Sequence, residues 1–372
     1  MKTFKRYLTP QVVQDLNKKM VFVGGPRQIG KTTLAKSLLA NAQGYLNWDF
    51  PEHRAAILKY QLPVSPLWVF DEIHKYRLWR NYLKGLYDIK SDNQQILVTG
   101  SAKLDYYRYS GDSLQGRYFY LRLHPLSLAE LKSDSQSDLE QLLNLGGFPE
   151  PFFSGSETEA RRWSRDYRTR LIHEDLVQLE RVYELGKIEH LALLLPELVS
   201  SPLSINALRE DLQVSHKAVS NWIDIFERLY TLFRLTPFQA KRTRSVTKEQ
   251  KHYHLDWSLI PDKSKRFENL VACALLKWVH YRQDTQAEAV DLHYYRDIDK
   301  REVDFIVAVD RQITHAVECK WNDDDISPSL KYLKSKFPEA EFWQLSMVGK
   351  KDFVSKEGIR VAPAISFLKN LI

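Results

Sequence analysis

At 372 residues, 44% hydrophobic and 27% charged, the chain is too long for one simple core and has the make-up of a globular protein of two or three domains. Its two cysteines, Cys273 and Cys319, exclude a disulfide framework or a zinc-finger spacing, and its longest apolar run, residues 191–195, is cut by Pro196, so no membrane partner and a cytoplasmic location are expected. The formal charge of +7 permits a nucleic-acid partner and leaves the decision to how that charge is distributed.

Residues 12–19 read as a short amphipathic helix leading into a first strand, Val21-Phe22-Val23. The strand stops at Gly24. Gly25-Pro26-Arg27-Gln28-Ile29-Gly30-Lys31-Thr32 is then a complete G-x-x-x-x-G-K-[ST] phosphate loop, continued by Thr33 and a helical pattern to Leu39. The spelling follows from the chemistry. A polyphosphate needs converging backbone N–H groups, and glycine lets the backbone close around it without Cβ clashes. The helix beginning near Lys31 turns its positive dipole end to the same anion. Lys31 reaches the β- and γ-phosphates, and the Thr32 hydroxyl sits on Mg²⁺. ATP and Mg²⁺ are therefore the expected cofactors, with residues 25–33 as the binding loop.

A second strand ends at Asn47-Trp48-Asp49, and Pro51-Glu52 opens another helix. Leu67-Trp68-Val69-Phe70-Asp71-Glu72 is an apolar strand ending in two carboxylates, a Walker B pattern. Asp71 is expected to hold the Mg²⁺ shell and Glu72 to orient and polarise the attacking water. The next apolar strand, residues 95–99, runs into Gly100 and Ser101. Parallel strands of an open α/β sheet present ligands at their carboxyl ends, so Thr99 or Ser101 either reaches the γ-phosphate or caps a turn. Gly116-Arg117 precedes the strand Tyr118-Phe119-Tyr120-Leu121. Arg117 is either a transition-state finger donated to a neighbouring subunit's nucleotide, which implies a homo-oligomer, or a surface ion-pair partner.

The segments VFVGGPRQIGKTTL, YLNWD, VFDEIHK, VTGSAK, GRYFYLRLHPLSLAEL and the later GGFPEPFF together resemble the bacterial and archaeal AAA-like ATPases that carry a C-terminal domain of the PD-(D/E)XK nuclease superfamily. The resemblance covers nearly the whole chain. It implies an AAA+-like P-loop fold, ATP as ligand and a nuclease-type fold at the end, and it implies no pathway.

From Gly146 the sequence changes character. Residues 157–184 form a long charged helical stretch in which Arg161, Arg162, Arg165, Arg168 and Arg170 alternate with apolar positions. Ser204 then caps a short helix, Val214-Ser215 makes a turn, and Ser215 caps a second helix over 216–228. That is a helix-turn-helix order. Two strands follow, Tyr230-Thr231-Leu232-Phe233-Arg234-Leu235 and His252-Tyr253-His254-Leu255, flanking a tip with Lys241, Arg242, Arg244, Lys248 and Lys251 against one Glu249. The plan is a winged helix with a basic wing. On DNA, His216, Lys217, Ser220 and Asn221 approach a groove while Lys241, Arg242 and Arg244 grip phosphates. The alternative is a module packed on its own protein, with a solvated tip. His252 and His254 alternate along a strand without Cys or carboxylate support and read as ordinary strand residues.

In the last part, a helix starts near Phe267 and carries Glu268, and a strand covers 291–295. Two further strands, 302–309 and 313–320, carry Asp304 and the triplet Glu318-Cys319-Lys320. Strand period puts Glu318 and Lys320 on one face and sends Cys319 toward the core with Val317. A helical Glu, then an Asp, then Glu-x-Lys is the order of the PD-(D/E)XK nucleases. That resemblance implies that Glu268, Asp304 and Glu318 chelate Mg²⁺ and that Lys320 steadies the developing phosphorane charge or the hydrolytic water. The same fold also serves in domains that bind without cutting. The expected organisation is an α/β ATPase domain over 1–140, a helical and winged-helix domain over 141–258 and an α/β nuclease-like domain over 259–372.

Overall fold

The computed structural model describes residues 4–100, 114–176, 184–239 and 250–372. The chain divides into two compact units: one runs through His124 and includes Asp284–Gln286, the other comprises Pro125–Gln283 and Ala287–Ile372. Residues 141–258 and 259–372 thus lie in the second compact unit, Asp284–Gln286 apart.

The first unit is built on a parallel sheet of β1 (Met20–Gly24), β2 (Tyr45–Asn47), β3 (Leu67–Asp71), β4 (Gln95–Thr99) and β5 (Tyr118–Arg122), in the order β2-β3-β4-β1-β5. A parallel sheet is covered on both faces, so its strands are continuously apolar rather than alternating. Val21, Phe22, Val23, Phe70, Leu97 and Val98 are all buried. Strand β4 lies between β1 and β3, and Thr99 is in register with Val23 on one side and Asp71 on the other. This brings the loop leaving β1 and the acids ending β3 to one carboxyl edge.

The first helix spans Thr9–Leu16 rather than 12–19, with Pro10 in its first turn, where a missing N–H costs nothing. Strand β2 ends at Asn47, earlier than expected, because the Asn47 side chain accepts the Asp49 N–H at 2.8 Å and turns the chain.

In the second unit the helix Glu157–Arg170 passes into a π-helical turn, Leu171–Leu176, so the regular helix ends well before 184. The helices Ile205–Leu212 and His216–Arg228 follow as expected, with Ser204 and Ser215 accepting the N–H groups of Ala207 and Ala218. Strands β6 (Leu232–Leu235) and β7 (Lys251–His254) pair antiparallel. The next helix, Lys263–Gln286, starts ahead of Phe267 because Asp262 caps it through the Lys265 N–H.

The unit closes on a six-stranded sheet of β8 (Val290–Arg296), β9 (Glu302–Val309), β10 (Gln312–Lys320), β11 (Glu341–Ser346), β12 (Phe353–Val354) and β13 (Ile359–Pro363), in the order β12-β13-β11-β10-β9-β8. Strands β8, β9 and β10 pair antiparallel, whereas β10, β11 and β13 are parallel neighbours. Val303, Ile306, Ala316, Leu330 and Phe342 form its core with Phe238. Among the described residues, no helix is long and apolar enough to cross a membrane.

Candidate functional site

The phosphate loop is shaped by three residues with positive φ: Gly25 (135°), Gln28 (58°) and Gly30 (97°). At Gly25 a side chain is also barred by space, since a Cβ there would stand 2.4 Å from the Leu123 carbonyl oxygen. Ile29 is fully buried and pins the middle of the loop. Arg6, itself buried, donates through its guanidinium to the Ile29 carbonyl and, at 2.6 Å, to the His124 carbonyl. The sequence offered no signal for this brace. Pro26 is buried, Arg27 half-buried, and Gln28 and Thr33 are exposed. The Lys31 ammonium is held over the loop, donating to the carbonyls of Gly25 (3.0 Å) and Pro26.

Asp71 receives three hydroxyl groups. Thr32 Oγ1 donates to its Oδ2 at 2.8 Å, Tyr45 Oη to the same oxygen at 2.6 Å, and Thr99 Oγ1 to Oδ1 at 2.6 Å. The sequence pairs Thr32 with Asp71 through a metal and gives no sign of Tyr45, which YLNWD contains but which only the β2–β3 register brings to Asp71. Burial and then the bond to Asp71 raise the Tyr45 phenol well above its ordinary value, which keeps it a donor. Thr99 is buried beneath Asp71, where it aligns the carboxylate. Ser101 lies outside the described residues.

Glu72 stands just past β3 with φ 57°, tied by its N–H to the Thr99 carbonyl at 2.9 Å. Its side chain is 21% exposed, and Oε2 lies 3.6 Å from both Lys75 Nζ and His74 Nε2. Burial raises the carboxyl above the usual range, and the charges of Lys75 and Lys31 work against that rise. A carboxylate so placed is a stronger base than one in water. The donor set of Thr32 and Asp71, one hydroxyl and one carboxylate 2.8 Å apart, fits a hard oxygen-seeking cation.

Arg117 sits at the opposite edge of the sheet. Its carbonyl accepts the Met20 N–H at the start of β1, and its Nε donates to Asp88 Oδ1 at 3.0 Å. It is remote from its own phosphate loop.

In the second unit His216, Lys217 and Asn221 are exposed on the helix His216–Arg228 and Ser220 is half-buried, while Val219, Trp222, Ile223 and Phe226 face inward. Lys241, Arg242, Arg244 and Lys248 lie outside the described residues. Lys251 is corrected: it is no part of an exposed tip but is buried in β7, with its Nζ 2.5 Å from Glu302 Oε1. His252 and His254 are buried too, and His252 Nε2 bonds the Leu195 carbonyl at 2.8 Å.

The fold brings Glu268, Asp304, Glu318 and Lys320 together. Asp304 Oδ2 accepts the Cys319 N–H at 2.8 Å, Glu268 Oε1 accepts the Tyr253 hydroxyl at 2.8 Å, and Lys320 Nζ lies 3.0 Å from Glu318 Oε1. Burial first, and then the charge of Asp304, pushes Glu268 and Glu318 up. Glu318 Oε2 is buried without a hydrogen-bond partner. Among the described residues, however, no group of three or more Asp, Glu, His and Cys side chains is arranged to hold a metal ion. Contrary to expectation, Glu318 is the buried residue and Cys319 the partly exposed one, because Glu318 is drawn in beside Asp304 and Lys320.

Residues 17–132 match the family described as an AAA domain. Residues 136–268 and 263–365 match two domains of unknown function, DUF8612 and DUF4143. No curated protein matches the chain. Solved structures that align with it include one of Pif1 helicases unwinding forked double-stranded DNA, with TM-score 0.20, 15% identity and coverage of 36% of this chain and 45% of that one. A DNA polymerase III gamma subunit-related protein of Thermotoga maritima aligns with TM-score 0.26 and 10% identity over 60% of this chain and 81% of that one. A signal-transduction ATPase with a tetratricopeptide-repeat sensor from Pyrococcus horikoshii aligns with TM-score 0.22 and 14% identity over 74% of this chain and 46% of that one. The chain thus spans less than half the length of the helicase and the signal-transduction ATPase. With the AAA match added to the geometry of the loop and its acids, residues 17–132 form an AAA-like P-loop ATPase domain.

Proposed function

We propose that the protein hydrolyses ATP and couples the turnover to remodelling of DNA. The observation that carries the hydrolytic half is the convergence of Lys31, Thr32, Asp71 and Glu72 on one edge of the parallel sheet. The N–H groups of residues 25–33 and the Lys31 ammonium bind the phosphates. Thr32 and Asp71 would hold Mg²⁺, which supplies neutralisation of phosphate charge. Tyr45 and Thr99 fix the orientation of Asp71, and Glu72 takes a proton from the attacking water. Arg117 is too far from its own loop to help, so a finger role requires a neighbouring subunit.

The DNA half is supported by the exposed His216, Lys217 and Asn221 on the second of two capped helices, and by the basic residues Lys241, Arg242 and Arg244 in the sequence between β6 and β7. Metal-dependent cleavage at Glu268, Asp304, Glu318 and Lys320 would be the narrower form of this reading only where those carboxylates bind a divalent ion. A second reading is favoured by the protein donors already on those carboxylates. In it, nucleotide binding toggles the winged helix against a protein partner and the C-terminal sheet is a scaffold.

The test is ATP turnover with and without single-stranded, duplex and branched DNA. Stimulation by DNA supports remodelling, and a preference for branched DNA would name the substrate. Turnover indifferent to every DNA, with no DNA bound, would sink the first reading in favour of the second.

A further inference from the structure

The carboxylate centre of the C-terminal sheet receives two side chains from β7, a strand of the preceding hairpin. Lys251 is 1% exposed, with its Nζ 2.5 Å from Glu302 Oε1 and 5.2 Å from the centre of the Tyr294 ring. Arg296 reaches the other oxygen of Glu302 at 3.5 Å. Tyr253 shares the face of Lys251 by the period of a strand and donates its hydroxyl to Glu268. A buried ammonium is costly unless it is paired. Here burial opposes the charge, but the carboxylates of Glu268, Asp304 and Glu302 outweigh it and hold the lysine protonated. Lys320 flanks Glu318 on β10 as a second ammonium.

We propose that Lys251 is the resident cation of this centre, an ammonium tethered through β7 that supplies among Glu268, Glu302 and Asp304 the positive charge a divalent ion would bring. The centre then folds without a metal and does not bind one. Each carboxylate has a protein donor: Tyr253 for Glu268, Lys251 and Arg296 for Glu302, the Cys319 N–H for Asp304 and Lys320 for Glu318. One oxygen each of Glu268, Asp304 and Glu318 and both of Glu302 already have a protein donor, so Glu318 Oε2 is the one carboxylate oxygen of the centre found buried without a partner among the described residues. A divalent ion would also meet a buried ammonium at short range in a medium that screens poorly. The proposal is independent of the nucleotide chemistry and separates this centre from cleavage.

The experiment uses the full chain without nucleotide and with Asp71→Asn, so that the acid ending β3 contributes no metal site. Bound Mn²⁺ is counted by electron paramagnetic resonance, and thermal unfolding is followed with Mn²⁺ or EDTA. The parent is expected to bind no Mn²⁺ at this centre and to melt at the same temperature in both. Lys251→Met should melt roughly 5–10 °C lower, and Mn²⁺ should restore part of that loss unless Asp304→Asn is added. Mn²⁺ bound by the parent and lost with Asp304→Asn would overturn the proposal, and this arm stands even where Lys251→Met does not fold. A folded Lys251→Met chain that gains no response to Mn²⁺ would overturn it equally.

Discussion

Asp71 is the residue on which the nucleotide site turns, and its three hydroxyl donors show how. Thr32 comes from the first turn of the helix after the loop, Tyr45 from the start of β2 and Thr99 from the end of β4, so the carboxylate is held from three separate elements. Glu72, one residue on, leaves the strand in the left-handed region and keeps its side chain partly accessible. That division assigns Asp71 to the cation and Glu72 to the water. Glu72→Gln is therefore expected to keep nucleotide affinity and to slow single-turnover hydrolysis by about 10²–10⁴-fold, since an amide takes no proton. Lys31→Ala should instead lose binding, because the phosphates lose their cation. Equilibrium binding of a fluorescent ATP analogue beside rapid-quench kinetics separates the two. A Glu72→Gln chain hydrolysing at the parent rate would remove the residue from its assigned role.

At the scale of the element, β7 is the least ordinary strand. Its sequence Lys251-His252-Tyr253-His254 has the polarity of an exposed edge, yet all four residues are buried. Burial lowers His252 to about 4 and His254 to about 3, so both imidazoles are neutral in the folded chain near neutral pH. The unfolded chain takes up protons below about 6.5 and the folded chain does not, so stability is full above that pH and falls as pH drops toward 4 and 3. Each histidine contributes a slope of about 1.4 kcal/mol per pH unit inside that window. Urea unfolding at a series of pH values should show the double variant His252→Asn, His254→Leu losing less stability than the parent between pH 6.5 and 4.5. Equal losses in the two proteins would mean that other groups carry the acid sensitivity.

For the whole molecule, sheet order decides what Arg117 can do. In a parallel sheet the residue before β5 lies at the amino edge, away from the phosphate loop at the carboxyl edge of β1. Arg117 pairs with Asp88 there. If it acts as a finger, it acts on a neighbour, and its loss should cost about 10³–10⁵-fold in turnover. Mixing Arg117→Ala with Glu72→Gln chains is then expected to restore turnover that neither has alone, because an intact Glu72 meets an intact Arg117 across a subunit boundary. No recovery in a mixture shown to exchange subunits would reduce Arg117 to its ion pair with Asp88.

Features that depend on near neighbours along the chain are legible in the sequence. The phosphate loop, the acids after a buried strand, the serine caps at Ser204 and Ser215 and the alternation of strands and helices are all written within short windows, because backbone N–H geometry and capping act over a few residues. Long-range packing sets which polar side chains are buried and what they meet. Arg6 braces a carbonyl at His124, Tyr45 reaches Asp71, and Lys251 enters a centre built from Glu268 on a helix and Glu302 and Asp304 on β9. It also decides that the hairpin and the C-terminal sheet form one unit, since Lys251 and Tyr253 of β7 join Glu302 and Glu268. The reason is physical: a charged residue reads as exposed wherever its partner is far away in the chain, and only folding brings that partner close enough to offset the cost of leaving water.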